Sequence, residues 1–239
     1  MENKLLTISE AATYLGVSID TIRRWDNNGK LIAIRKNGGT HRYYRKEDLL
    51  KFNSNLFQIA QSWVLSNSKI PSDFHCPYSP TFQSHLITMQ DELMRIPELS
   101  QNFSLIVAVV GEIGNNSYDH NLGNWPDVPG VFFAYDIEKK VIILADRGLG
   151  ILTTLKKVKP ELMTHEAALK VAFTEIISGR APEERGNGLK FVREVISQMP
   201  ISLLFQTGDS ELRMEGNNRE LFITRSAYPI HGCIALIQY

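Results

Sequence analysis

The hydrophobic rhythm of the chain changes several times, and each change marks an element. Near the start, Ala11, Ala12 and Leu15 form a helical stripe, with Thr7 or Ser9 placed to cap it and Glu10 in its first turn. Gly16-Val17 makes a turn. Ser18 then caps a second helix carrying Ile19, Ile22 and Trp25, which Asn27-Asn28-Gly29 ends. Residues 31–34, the Gly38-Gly39 turn and residues 41–44 read as a two-stranded wing, with 46–52 as a closing helix. Residues 1–52 thus read as one small, mainly helical domain.

Residues 53–97 read as a helical connector. Segments 56–65 and 82–94 have helical apolar spacing, and Pro71, Pro77 and Pro80 keep them from being one helix. From 98 to 239 the pattern is α/β. A helix is predicted over 103–120, and strands over 131–137 and 141–145 flank a Glu138-Lys139 turn. Residues 151–185 mix helical pieces with Lys, Gly and Pro and read as a mobile lid. A helix follows from Gly188 to about 199, then two or three closing strands over 201–206, 221–227 and 233–238.

Composition narrows the partners little. The net charge is zero, with 26 basic and 26 acidic side chains. Their distribution is uneven: Lys4, Arg23, Arg24, Lys30, Arg35, Lys36, Arg42, Arg45, Lys46 and Lys51 face only six acidic residues within 1–52, which leaves that domain positive and the remainder negative. Two cysteines, Cys76 and Cys233, make neither a disulfide framework nor a metal site by themselves. No apolar run is long enough to cross a bilayer and the first residues lack a signal-peptide pattern, so no membrane partner and a cytoplasmic location are expected.

Three short segments carry the chemistry. A carboxylate at a strand end can accept a hydrogen bond from an adenine amino group, and glycines just beyond it let the backbone pass close to the base; Asp146-Arg147-Gly148-Leu149-Gly150 offers both. Asn116 supplies a hard oxygen suited to Mg²⁺ on a helix face. Glu112 lies one helical turn earlier on the same face and could orient or deprotonate a water or hydroxyl. Gly186-Asn187-Gly188-Leu189 opens a helix and would present free N–H groups to phosphate. Asp119 and His120 read equally as phosphate-side groups or as plain helix surface. Lys156, Lys157, Arg180 and Arg185 are lid candidates for phosphate contact.

In order and setting, these segments resemble the Bergerat-fold (GHKL) ATPases and kinases, the superfamily of gyrase, Hsp90, histidine kinases and MutL. The N box corresponds to Glu112…Asn116, the first glycine box to Asp146, Gly148 and Gly150, and the second to Gly186, Gly188 and Leu189. The resemblance covers roughly 99–239. It implies an α/β sandwich that binds ATP with Mg²⁺, and ATP turnover or phosphoryl transfer with Glu112 as the catalytic group. Where the family often has Gly-Thr before the last strand, this chain has Gly232-Cys233. His85, in Ser84-His85-Leu86-Ile87-Thr88, lacks the following acidic residue and the helix length that a sensor-kinase phosphoacceptor needs.

The N-terminal domain, through Leu6–Ser18, Thr21–Trp25, Gly29-Lys30-Leu31 and Gly39–Tyr44, resembles MerR-type and excisionase-type winged helix-turn-helix domains. That resemblance implies double-stranded DNA as partner and a homodimer. Thr21, Arg23 and Arg24 would enter the major groove, and Arg35, Lys36, His41, Arg42 and Arg45 would meet the duplex from the wing. Trp25 is expected in the small core. The whole reads as two domains, a small winged helix-turn-helix followed by an α/β sandwich of the Bergerat fold. The expected function is a transcriptional regulator controlled by ATP. The alternative is a kinase resembling the anti-sigma-factor serine kinases and acting on a STAS-like protein partner.

Overall fold

The structure, a computed structural model, describes residues 5–15, 18–29, 31–35, 39–45, 49, 56–66, 69–175 and 188–239. The chain divides into two compact units, Met1–Gln58 and Ile59–Tyr239.

In the smaller unit, Thr7 and Glu10 make a reciprocal capping box. The Thr7 N–H donates to Glu10 Oε2 at 2.7 Å, and the Glu10 N–H donates to Thr7 Oγ1 at 3.3 Å. This starts helix α1, Ile8–Leu15. Ser18 caps α2, Ile19–Asn27, its Oγ accepting from the Thr21 N–H at 3.1 Å. Gly29 follows with φ 70°, the left-handed conformation that closes the helix. Of the expected wing, Ile34 and Tyr43 pair in an antiparallel bridge, and residues 36–38 of its turn lie outside the described residues. Strand β2, Tyr43–Arg45, also pairs with β1, Leu5–Thr7. The reason is the apolar content of Leu5-Leu6: Leu6 packs with Ala11, Ile22, Leu31, Tyr44 and Leu49, so the chain start closes the core. Trp25 packs on the same cluster. The expected closing helix over 46–52 lies outside the described residues apart from Leu49, which is buried.

The larger unit is a five-stranded sheet in the order β3-β4-β5-β7-β6, with every pairing antiparallel. The strands are β3 (His75–Cys76), β4 (Val131–Asp136), β5 (Val141–Asp146), β6 (Ser202–Met214) and β7 (Phe222–Gln238). Helices α4 (Ser79–Met94), α5 (Phe103–Asn121) and α8 (Gly188–Gln198) cover one face. Their Phe82, Leu86, Met89, Val109, Ile113, Val192 and Ile196 share one core with Val131, Phe133, Ile142, Leu144, Phe205 and Ile237. Residues of opposite parity, Phe132, Ala134, Ile143 and Ala145, are also buried. Double burial explains why 131–134 and 141–145 read as continuous apolar runs rather than alternating ones.

One sequence reading changes here and another is narrowed. The stretch 53–97 is more than a connector: α4 supplies four fully or nearly buried side chains to the main core, and Cys76 sits on the edge strand. Helix α3, Leu56–Ser66, brings Trp63 against Phe132 on the second face, at 6.3 Å between ring centres. Of the two or three closing strands expected, there are two, β6 and β7. β7 is one continuous strand because Gly232, at φ 74°, absorbs the local distortion, and the β6–β7 register shifts on either side of Gly208.

The segment expected as a lid holds α6, Gly150–Leu155, and α7, His165–Thr174. Leu155, Leu162, Ala168 and Val171 form a small core of its own. Among the described residues no helix is long and apolar enough to cross a membrane.

Candidate functional site

α5 starts at Phe103, and its inward face changes from apolar to polar after Ile113. Ile113, Asn116, Ser117, His120 and Asn121 recur at the 3–4 spacing of one helical face and line a single cleft. The opposite wall comes from the end of β5 (Leu144, Ala145, Asp146), from Gly150, Ile151 and Thr154 of α6, and from Leu189 at the start of α8. Phe205, Cys233 and Ala235 of β6 and β7 form the floor. The open cleft encloses about 520 Å³, solvent at its mouth included.

Among the described residues, Asp146 is the one carboxylate in that lining. It is 3% exposed. Its Oδ2 accepts from the Ser117 hydroxyl at 2.8 Å and its Oδ1 from the Gly148 N–H at 2.8 Å. Burial raises the carboxyl pKa, opposed by hydrogen bonds from Ser117, Gly148 and the Cys233 N–H. An ionised carboxylate offers about four acceptor positions. Three protein donors therefore leave room for one more. Gly232 is what lets the neighbouring strand approach so closely: a Cβ there would stand 2.6 Å from Asp146 Oδ1 and 2.2 Å from its carbonyl oxygen.

Beyond Asp146 the turn is shaped by a residue that sequence reasoning missed. Asn121, 3% exposed, donates from Nδ2 to the Ser117 carbonyl at 2.7 Å and accepts the Leu149 N–H on Oδ1 at 2.7 Å. A Cβ at Gly148 would lie 2.1 Å from Asn121 Nδ2. Gly148 is thus small to admit the Asn121 amide and is not among the lining residues; Gly150, at φ 74°, is. Thr207, fully buried on β6, accepts the Ile151 N–H at 3.2 Å and donates to the Gly232 carbonyl at 2.9 Å. It sets a hydroxyl beside Cys233, its cross-strand partner. The Cys233 thiol is pushed well up by burial and by the Asp146 charge.

Glu112 stands beside the cleft, facing the start of α8. A Cβ at Gly188 would come within 2.5 Å of Glu112 Oε2 and 3.3 Å of Asn116 Nδ2. The N-box pair and the second glycine segment, distant in sequence, therefore meet. His120 lines the cleft, whereas Asp119 is exposed and absent from the lining. Arg180, Arg185 and Gly186 lie outside the described residues. Lys156 and Lys157 are exposed just after α6. Ser117 and Asn121 were within reach of sequence reasoning, since they continue the face of Asn116; Thr207 carried no local signal.

The smaller unit organises its basic residues around Asp26, whose side chain is 3% exposed. Its carboxylate accepts the Ala33 N–H at 2.9 Å, Arg35 Nη2 at 2.7 Å and Arg42 Nε at 2.6 Å. Burial raises the Asp26 pKa, but the Ala33 and Arg42 hydrogen bonds and the two guanidinium charges outweigh it and hold the carboxyl below its ordinary value. Arg35 and Arg42, expected on the duplex, thus bind the segment after α2 to α2 itself. Arg23 pairs with Asp20 at 2.9 Å on the surface, and the Thr21 hydroxyl shares a 2.9 Å hydrogen bond with Ser18 in the helix cap. Arg24, His41 and Arg45 are exposed; Lys36 lies outside the described residues.

The element order of the larger unit is what the Bergerat resemblance implies: N box in a helix, first glycine box at a strand end, Gly188 and Leu189 at the start of α8, and an antiparallel sheet with them. The N-terminal segment is a helix-turn-helix domain, since residues 5–54 match the family described as Helix-turn-helix domain. Two curated proteins are similar in that segment. Type II methyltransferase M.Eco47II of Escherichia coli is 42% identical over 57 residues, which is 24% of this chain and 14% of that protein. Transcriptional repressor DcmR of Methylorubrum extorquens is 43% identical over 53 residues, 22% of this chain and 20% of that protein. The chain thus spans a fifth or less of the length of these relatives. The 43K ATPase domain of Thermus thermophilus gyrase B, solved in complex with an aminocoumarin, is similar over 54% of this chain and 32% of that one, at 15% identity and a TM-score of 0.34.

Proposed function

We propose that the chain is a DNA-binding regulator whose affinity for DNA, or whose assembly, depends on ATP held in the cleft of the larger unit. The observation that carries this reading is the convergence of three sequence segments on one cleft. Asn116 and Asp146 line it with Gly150 and Leu189, and Glu112 stands against Gly188 at its side.

The lining suits a nucleotide. Ile113, Leu144, Phe205 and Ala235 provide apolar surface for a base. The remaining acceptor position of Asp146 would take a hydrogen bond from an exocyclic amino group, which a guanine carbonyl at the same place could not give. The N-terminal N–H groups of α8 would face phosphate oxygens. Among the described residues no cluster of three or more His, Cys, Asp or Glu side chains could cage a metal. A Mg²⁺ ion would instead be shared between Asn116 and the phosphates, neutralising their charge. Glu112 would orient, or take a proton from, a water or hydroxyl near the start of α8. Arg24, His41 and Arg45, exposed on the helix-turn-helix unit, are the groups we assign to the duplex, with Arg23 and Lys36; Arg35 and Arg42 would position the wing and reach phosphate only through their remaining N–H groups. The name of the similar repressor supports a role in transcription.

Electrophoretic mobility shifts on fragmented genomic DNA, with and without Mg-ATP, test this reading. A change in the amount or pattern of bound fragments on adding Mg-ATP is expected for the wild type and not for Asp146→Asn. Tight binding that is indifferent to nucleotide would reject the coupling.

A further inference from the structure

Arg147 lies inside the first glycine segment but points away from the cleft, and nothing in the proposed chemistry uses it. It is nevertheless only 7% exposed. Its guanidinium is committed on three sides. Nε donates to Asp127 Oδ2 at 2.8 Å, Nη2 donates to the same oxygen, and Nη1 donates to the backbone carbonyl of Trp63. Asp127 belongs to the loop that follows α5, and Trp63 to α3.

The Trp63 contact has a specific physical meaning. α3 ends at Ser66, so the Trp63 carbonyl is among the last four of the helix, which an α-helix leaves without a partner of its own. A cation at that end also meets the negative pole of the helix dipole. Arg147 therefore serves as the C-terminal cap of α3. Trp63 itself is 2% exposed and packs on Phe132 and His75, which fixes the carbonyl in place. The residue before Arg147 is Asp146, and the residue after it is Gly148, whose N–H binds the Asp146 carboxylate. Any change in the Asp146–Gly150 turn must move the backbone that carries the guanidinium.

We infer that Arg147 is a positioning residue that transmits occupancy of the cleft to α3: nucleotide held by Asp146 stiffens the turn, the turn fixes the guanidinium, and the guanidinium holds the C-terminal end of α3. This rests on the nucleotide reading of the cleft.

The test is amide hydrogen exchange of 56–66 in the full chain, with and without saturating Mg-ATP, for wild type, Arg147→Lys and Asp127→Asn. Lysine keeps the charge but not the fork, and Asp127, 38% exposed, can lose its charge without leaving a buried cavity. Wild-type exchange in the last turn of α3 is expected to slow at least about fivefold with ATP. In both variants that slowing should fall below twofold, while ATP affinity, read by displacement of a fluorescent ATP analogue, stays within about threefold of wild type. Slowing by ATP that survives in both variants overturns the inference and leaves the nucleotide reading standing, as does ATP binding with no change in α3. No ATP binding by the wild type overturns both.

Discussion

The hydroxyl of Ser117 donates a 2.8 Å hydrogen bond to Oδ2 of Asp146, joining the polar face of α5 to the end of β5. This contact orients the only carboxylate that lines the cleft among the described residues. Asp146→Asn keeps an acceptor for the Gly148 N–H and gives Ser117 Oγ a donor, so folding should tolerate it. Burial raises the Asp146 pKa. For a raised acid, the stabilising contribution is present below its unfolded pKa and lost as pH rises through the folded one. Neutralising it should therefore cost less than about 1 kcal/mol at pH 7 and could stabilise. ATP affinity, in contrast, should fall roughly 10- to 150-fold, the loss of a hydrogen bond to a charged group. Thermal melts paired with nucleotide titrations separate the two effects.

Gly188→Ala should separate folding from chemistry in the opposite sense. The new methyl would meet Glu112 Oε2 at 2.5 Å, the movable end of a flexible side chain. Stability should change by no more than about 1 kcal/mol, since alanine is the better helix residue. Displacing Glu112 should lower phosphate release from ATP at least about tenfold, measured at saturating nucleotide.

Gly114→Ala meets a rigid obstacle. Its methyl would stand 2.2 Å from Cζ of Phe82, a fully buried ring. A loss of about 2–4 kcal/mol is expected in chemical denaturation. Phe82→Leu in the same chain should recover part of it.

These contrasts show what the sequence made legible. α5 and the strands after it were readable because their patterns are long and local: a 19-residue helix with a polar end, and two apolar runs around a short turn. Asn116, Asp146, Gly150 and Leu189, which line the cleft, lie in or beside those patterns. What escaped was long-range. The joining of β6 and β7 into one long hairpin depends on Gly232 lying against Asp146, and the role of Thr207 on its neighbours across the strand. Gly148 was read as space for a base because its true occupant, Asn121, is 27 residues away in the chain. The strand 5–7 escaped because it is too short to signal itself, and it pairs with β2 in addition to the Ile34–Tyr43 bridge of the wing.

Asp26 governs the acid limit of the smaller unit. Its folded pKa lies below the ordinary 3.8, so its contribution is complete above that value and is lost as pH falls through the lower folded value. Asp26→Asn should cost about 1–3 kcal/mol at pH 7. Its stability should also decline less than that of the wild type between pH 4 and lower values, a range for circular-dichroism melts of the full chain. Equal acid sensitivity in both proteins would assign the loss to other carboxylates.

The most direct measurement is calorimetric titration of the full chain with ATP in the presence of Mg²⁺, run beside Asp146→Asn and with GTP as competitor. Saturable binding of one ATP per chain is expected, weakened at least tenfold by the substitution and not displaced by equal GTP. No binding heat across several temperatures, or ATP and GTP binding alike and unaffected by Asp146→Asn, would contradict a nucleotide cleft built on Asp146.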